Sequence, residues 1–243
     1  MAINVIPFVF PGIPHVRCAF QTRLGGVSQG AFSGGNISFD VGDEPAHVEA
    51  NLEDLRRTLG LNELIAAKQV HGKTMLFDPD QTASVTEADG LATEQPGVGL
   101  MVRSADCQPV LLAHLEGKHI AALHVGWRGN RINFIGAGVA AFCAHYRLRP
   151  AEVCAVRGPS LGPARSEFVN YDVEWSHYFD AWYSARTQTV NLWKLTRDQL
   201  MAAGITGEHI FSLDLCTSSL PELFYSYRNE QITGRQASVI WME

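Results

Sequence analysis

Two apolar runs, Val110–His114 and His119–Val125, are joined by a short connection through Glu116-Gly117-Lys118. Runs of this length bounded by turn residues read as strands, and so short a connection makes them an antiparallel hairpin. The hairpin constrains the chain more than any other feature. Cys107 precedes one arm and His124 closes the other, so both are expected at the same end of the pair.

The rest of the chain reads as strands and helices without regular alternation. His15–Thr22, Ala66–His71, Lys73–Phe77, Val98–Arg103 and Val153–Arg157 are predicted strands, with late ones at Phe224–Tyr227 and Ala237–Trp241. Pro45 opens a helix carrying Val48, Leu52, Leu55 and Leu59 at helical spacing, and Gly60 stops it. Asn133–Tyr146, Glu174–Ala185 and Leu192–Ala203 are predicted helices, the first rich in the Ala and Gly that allow close packing on a sheet. No repeat or linker divides the chain. The expectation is one α+β domain over residues 1–243, with mixed sheets layered with helices.

Composition narrows the classes of function. A net charge of −6 disfavours a general nucleic-acid or acidic-membrane surface, while leaving room for a local cationic pocket. No apolar stretch reaches the roughly 18 residues of a membrane span, and no secretory signal is read at the N-terminus. Five cysteines without close pairing read as reduced thiols, which points to the cytoplasm. The oligomeric state is left open.

Three residues carry the chemistry. His71 lies in Gln69-Val70-His71-Gly72, Cys107 in Ser104-Ala105-Asp106-Cys107-Gln108-Pro109, and His124 in His124-Val125-Gly126-Trp127-Arg128-Gly129. Each stands where a predicted strand meets a turn. Two imidazoles and one thiolate make a zinc set with its fourth position open, the pattern of catalytic zinc. Their separations match no common zinc-finger spacing. The same atoms allow a second chemistry without metal, in which Cys107 is a nucleophile and His124 its base. Multicopper chemistry is disfavoured by nine histidines with no His-x-His pair.

Around this set, Arg128 reads either as an anion clamp or as an arginine stacked on Trp127. Arg23, beside Gly25-Gly26, is a candidate phosphate ligand, and Asn36, Gln69 and Arg228 are expected substrate contacts. Asp89 and Glu167 are candidate acid–base groups, and Asp106 is expected to orient a metal ligand. Tyr225, Tyr227, Phe211 and Trp241 read first as core aromatics and second as a base-stacking surface. No dinucleotide-binding glycine motif, Walker loop or zinc-deaminase signature is present.

Taken in order, Thr22-Arg23-Leu24-Gly25-Gly26-Val27-Ser28, Gly42-Asp43, Gln69-Val70-His71-Gly72, Ala88-Asp89-Gly90, Ala105-Asp106-Cys107-Gln108-Pro109, His124-Val125-Gly126-Trp127-Arg128-Gly129, Gly158-Pro159-Ser160-Leu161-Gly162-Pro163, Asp214-Leu215-Cys216-Thr217 and Tyr225-Ser226-Tyr227-Arg228 resemble the YfiH family, also called the polyphenol oxidase or laccase-domain family. The resemblance runs over nearly the whole chain. It implies the layered fold shared with a cytotoxic deamidase, and zinc held by His71, Cys107 and His124. It also implies phosphorolysis of adenosine, inosine, guanosine and methylthioadenosine, with deamination of adenosine. Purine nucleoside and phosphate are then the partners. Copper-dependent phenol oxidation and a cysteine hydrolase or amidase that edits a peptidoglycan precursor are the alternatives. Ser104, Val125, Ser166 and Asn229 depart from the family's words without touching the three ligands.

Overall fold

The predicted hairpin lies at the centre of a six-stranded sheet in the computed structural model, which describes residues 2–243. In chain order the strands are β1 (Val5–Val9), β2 (Val16–Gln21), β3 (Glu63–Ile65), β4 (Met75–Phe77), β5 (Gly90–Thr93), β6 (Val98–Ser104), β7 (Gln108–His114) and β8 (Ile120–Val125). They continue with β9 (Val153–Arg157), β10 (Tyr183–Ser184), β11 (Thr189–Val190), β12 (Ile210–Ser212) and β13 (Gln236–Met242). The α-helices are α1 (Pro45–Leu59), α2 (Trp127–Arg131), α3 (Phe134–Tyr146), α4 (Tyr171–Glu174), α5 (Leu192–Ala202) and α6 (Tyr227–Glu230).

The six-stranded sheet has the order β12-β9-β7-β8-β5-β4, and a five-stranded sheet has the order β1-β2-β13-β6-β3. Both are mixed: β12 runs parallel to β9, β4 to β5 and β3 to β6, whereas the other pairs are antiparallel.

Every residue of β7 and β8 is buried. Alternate side chains divide between two cores. Leu111, Ala113, Ile120 and Ala122 pack with Cys18, Phe20, Leu100 and Ile240 between the two sheets. Val110, Leu112, Ala121 and Leu123 pack on the opposite face with Phe134, Val139, Phe142 and Leu200 of the α3–α5 layer. A strand buried on both faces must be apolar along its length. A third core joins Met101, Ala237 and Val239 of the other sheet to Leu55 of α1. The layers therefore run helix, sheet, sheet, helix, in agreement with the expected α+β class.

Local chemistry explains the helix limits. Pro45 occupies the first turn of α1, and Gly60 ends it with φ 68°. The Asn133 side chain caps α3 by accepting from the Gly136 amide, and Asn191 caps α5 by accepting from the Lys194 amide. Gly138 of α3 faces Leu123, where an added Cβ would lie 3.1 Å from the leucine side chain.

Four local expectations are corrected. Residues 174–185 do not form one helix: α4 ends at Glu174, a 3-10 helix spans His177–Trp182, and β10 follows. Trp175 and Phe179 join Tyr171, Phe168 and Leu195 in a separate small core rather than forming one helical stripe. Phe224–Tyr227 is not a strand. Tyr225 is fully buried in irregular backbone and Tyr227 starts α6. The strand expected at Ala66–His71 is Glu63–Ile65, which leaves His71 on a loop. Trp127 and Arg128 open α2 rather than forming a turn. All five cysteines are free, and among the described residues no helix is long and apolar enough to cross a membrane.

Candidate metal centre and its cavity

The β7–β8 register sets Pro109 opposite His124, so Cys107 lies just beyond the end of one arm, beside the end of the other. His71 enters from the loop before β4. The donor atoms of His71, Cys107 and His124 all lie within 4.8 Å of one another, and Cys107 Sγ is 3.8 Å from His71 Nε2. Zinc bonds of about 2.0 Å to nitrogen and 2.3 Å to sulfur at a tetrahedral angle give an edge of about 3.5 Å. The donor set and its spacing fit one divalent ion. Among the described residues this is the one cluster of three or more His, Cys, Asp or Glu side chains with that capacity.

Asp89, immediately before β5, organises two of the three ligands. Its carboxylate accepts from His124 Nδ1 at 2.8 Å. It also accepts the backbone amides of Val70 at 3.2 Å, His71 at 2.9 Å and Gly72 at 2.6 Å. Its carbonyl accepts the His124 amide at 2.8 Å. With Nδ1 donating to Asp89, Nε2 of His124 presents a lone pair to an ion. His71 has φ 59°, an unfavourable region for a side-chain-bearing residue, and the three amide bonds to Asp89 hold it there.

Asp106 also has a positive φ, 89°. Its carboxylate is taken up by Thr217 Oγ1 at 2.6 Å, Ser226 Oγ at 2.8 Å and the Arg228 amide at 2.6 Å. These bonds fix the backbone that aims Cys107. Asp106 therefore bears on a ligand through the backbone it shares with Cys107, whereas Asp89 binds the His124 ring directly.

The electrostatics are strongly coupled. Burial pushes the Cys107 thiol up, but the charge and hydrogen bond of His124, helped by contact with His71, more than offset this and bring it down to about 6. Burial pushes His124 down, while the Cys107 thiolate and Asp89 raise it to about 9. Burial likewise opposes ionisation of Asp89, yet His124 and the backbone amides hold its carboxyl below the usual range. The thiolate is the form that binds metal or acts as a nucleophile.

The cluster opens into a cavity of about 750 Å³, within the range of small-ligand sites. Gln69, Arg128 and Arg228 line it, as expected. Gln69 is bound through its amide to both the carbonyl and the amide of Arg103, each at 2.8 Å. Arg128 stacks over Trp127 at 4.4 Å while lining the cavity. Arg228 donates to the Glu167 carbonyl at 2.9 Å.

Arg23 and Asn36 stand outside this lining. Arg23 donates to Glu230 and to the Pro221 carbonyl and lies over the Tyr225 ring. Asn36 is fully buried and binds Ser38, Asp43 and the Arg235 amide. The Glu167 side chain is also outside it. Tyr227 is exposed on the cavity, whereas Tyr225 is a core residue. Three charged wall residues carry no motif and were not singled out from the sequence: Asp40, Arg103 and Arg235. The available hint was position, since Arg103 ends the strand that leads into Cys107.

The chain resembles known proteins over nearly its whole length. Residues 17–243 match a family described as multi-copper polyphenol oxidoreductase laccase. The purine nucleoside phosphorylase YfiH of Escherichia coli K12 is 33% identical over 242 residues, with 96% of each chain covered. A purine nucleoside phosphorylase of Corynebacterium glutamicum is 33% identical over 240 residues, covering 93% of this chain and 94% of its own. Among solved structures, a Neisseria meningitidis protein superposes with TM-score 0.87 at 29% identity, covering 99% of both chains. YlmD from Geobacillus stearothermophilus gives TM-score 0.86 at 25% identity, with 96% of this chain and 94% of that one covered.

Proposed function

This chain belongs to the multi-copper polyphenol oxidoreductase laccase family, the YfiH group, and from that premise we propose that it is a zinc-dependent purine nucleoside phosphorylase. Its substrates are adenosine, inosine, guanosine and methylthioadenosine, and the same centre deaminates adenosine to inosine. The observation that carries the reading is the His71–Cys107–His124 cluster at the floor of a cavity walled by arginines and aromatic rings. The names of the relatives supply the reaction class.

Zinc held by the three side chains would act as a Lewis acid towards an anionic oxygen and lower the pKa of a bound water towards about 7. The residues of the chain do the rest. Asp89 keeps the His124 ring in the orientation that presents Nε2. Arginines on the wall neutralise phosphate and position it against the anomeric carbon. The rings of Phe168, Trp127 and Tyr227 offer apolar faces to a purine and exclude water from it. In phosphorolysis the bond from the anomeric carbon to the base nitrogen breaks. An oxygen of hydrogen phosphate bonds to that carbon, and the proton that the phosphate gives up passes to the leaving base nitrogen. The cytoplasm is the compartment that suits these substrates.

A second reading rests on a specific alignment. Asp89, His124 and Cys107 stand in the order of orienting carboxylate, base and nucleophile. That arrangement suits a cysteine hydrolase or amidase acting on a cell-wall precursor. Copper-dependent phenol oxidation has less support, because the described residues offer one metal cluster rather than several.

The test is incubation of the purified protein with a nucleoside panel, with and without phosphate, and identification of products by mass. Free base and sugar 1-phosphate appearing only with phosphate is the expected result. A trappable acyl group on Cys107 in metal-free protein, with no base released, would favour the hydrolase.

A further inference from the structure

Two arginines that share one wall of the cavity lack a full set of partners. Arg103 is the penultimate residue of β6, and Arg235 directly precedes β13, the neighbouring antiparallel strand. The register pairs Arg103 with Ala237 and Ser104 with Gln236, which brings the two side chains to the same end of the sheet, beside Cys107. Both are largely buried. Burial disfavours the charge on each, and the Arg235 guanidinium adds to that at Arg103, so the two cations feel one another.

Their hydrogen bonds are few. Arg103 Nη2 donates to the Ala67 carbonyl at 3.0 Å. Arg235 Nη1 donates to the carbonyls of Thr233 and Gly234, each at 2.9 Å. Neither bond neutralises charge. Among the described residues the acid nearest Arg103 is Asp40, 3.6 Å from Nη1, beyond a good hydrogen bond and with a side chain three-quarters exposed. Arg235 feels the charge of Cys107 first and then of Asp106, whose oxygens are bound to Thr217, Ser226 and the Arg228 amide; no side-chain acid accepts a hydrogen bond from it among the described residues.

Two guanidinium groups lining one cavity, each with N–H donors left over, suit a tetrahedral oxyanion. We propose that Arg103 and Arg235 form the seat for inorganic phosphate, and that Asp40 is the displaceable counter-charge that occupies their field until phosphate arrives. Backbone ties place this seat relative to the metal centre. Gln69 clamps the Arg103 backbone two residues before His71, and the buried Asn36 accepts the Arg235 amide at 2.9 Å. The identity of the anion as the co-substrate rests on the phosphorylase reading; the seat itself rests on the two arginines.

Calorimetric titration of the zinc-loaded full chain with inorganic phosphate tests the seat directly. R103M and R235Q, each checked for folding by circular dichroism, are expected to bind phosphate about tenfold more weakly or worse. R103K, which keeps the charge, is expected to retain most of the affinity and guards against loss of folding in R103M. D40N is expected to tighten binding about fivefold, the effect of removing one nearby screened charge. Wild-type phosphate affinity in folded R103M and R235Q, or no phosphate binding by the wild type, would overturn the seat. Unchanged or weaker binding in D40N would overturn the role of Asp40. Phosphate bound through both arginines with no nucleoside turned over would remove the phosphorylase reading and leave the seat standing.

Discussion

Asp89 accepts the Nδ1 proton of His124 at 2.8 Å while the same carboxylate gathers the backbone amides of Val70, His71 and Gly72. One buried group thus holds two of the three donors of the metal centre, one through its ring and one through its backbone. Replacement by D89N leaves a side chain of the same shape but without charge. Zinc affinity is expected to fall about 10–100-fold, the usual effect of losing a partner that orients a ligand. Competition with a chromophoric chelator measures it.

Alkylation separates the five cysteines. Cys18, Cys143 and Cys154 are buried, and burial pushes Cys143 and Cys154 up to about 11. Cys107 is partly exposed and favours the thiolate. In metal-stripped native protein iodoacetamide is expected to label Cys107 first, with Cys18, Cys143 and Cys154 untouched. Added zinc is expected to protect Cys107. Peptide mass mapping reads both, and equal labelling with and without zinc would contradict the ligand role.

Asp43 gives a pH test away from the metal. Burial opposes its ionisation, but Ser28, Asn36, the Glu44 amide and His47 together hold its carboxyl below the usual range. A group whose folded pKa is depressed stabilises the fold above its unfolded value, about 3.9, and loses that contribution as pH falls through the folded value. The stability difference between wild type and D43N is therefore expected to be constant above about pH 5 and to shrink on acidification below it. Denaturant titrations over that range measure it.

The two-sided burial of β7 makes Leu111 a probe of the space between the sheets. L111A is expected to cost about 2–5 kcal/mol of stability, transfer and cavity terms together. Thermal unfolding checks the loss, and zinc content per folded chain is expected to stay unchanged.

The hairpin and the meeting of Cys107 with His124 were legible because a tight connection leaves two apolar runs one pairing. The layered α+β fold followed from where helical spacing gave way to short apolar runs. Other parts were not legible for physical reasons. Residues 174–185 carry aromatics that pack inward from a 3-10 turn, so their spacing mimics a helix. Tyr225 is aromatic and buried like a strand residue, yet it lies in irregular backbone before α6, where its hydroxyl donates to the distant Phe32 carbonyl. Asp89 stood out as a candidate acid, but its bonds to His124 and to the 70–72 backbone depend on long-range contacts. Arg103 and Arg235 are far apart in the chain and meet only through the β6–β13 register. Arg23 sits in a word that resembles the family's and Asn36 in the glycine-rich loop after it, yet their side chains are spent on Glu230 and on the buried loop.

The most direct measurement is the mass of the intact chain under native conditions, for the wild type and for H71A. One zinc per wild-type chain, largely lost in folded H71A, is the expected result. A folded wild type that carries no metal after zinc loading, or an H71A chain that keeps zinc at the wild-type level, would contradict a centre built from His71, Cys107 and His124.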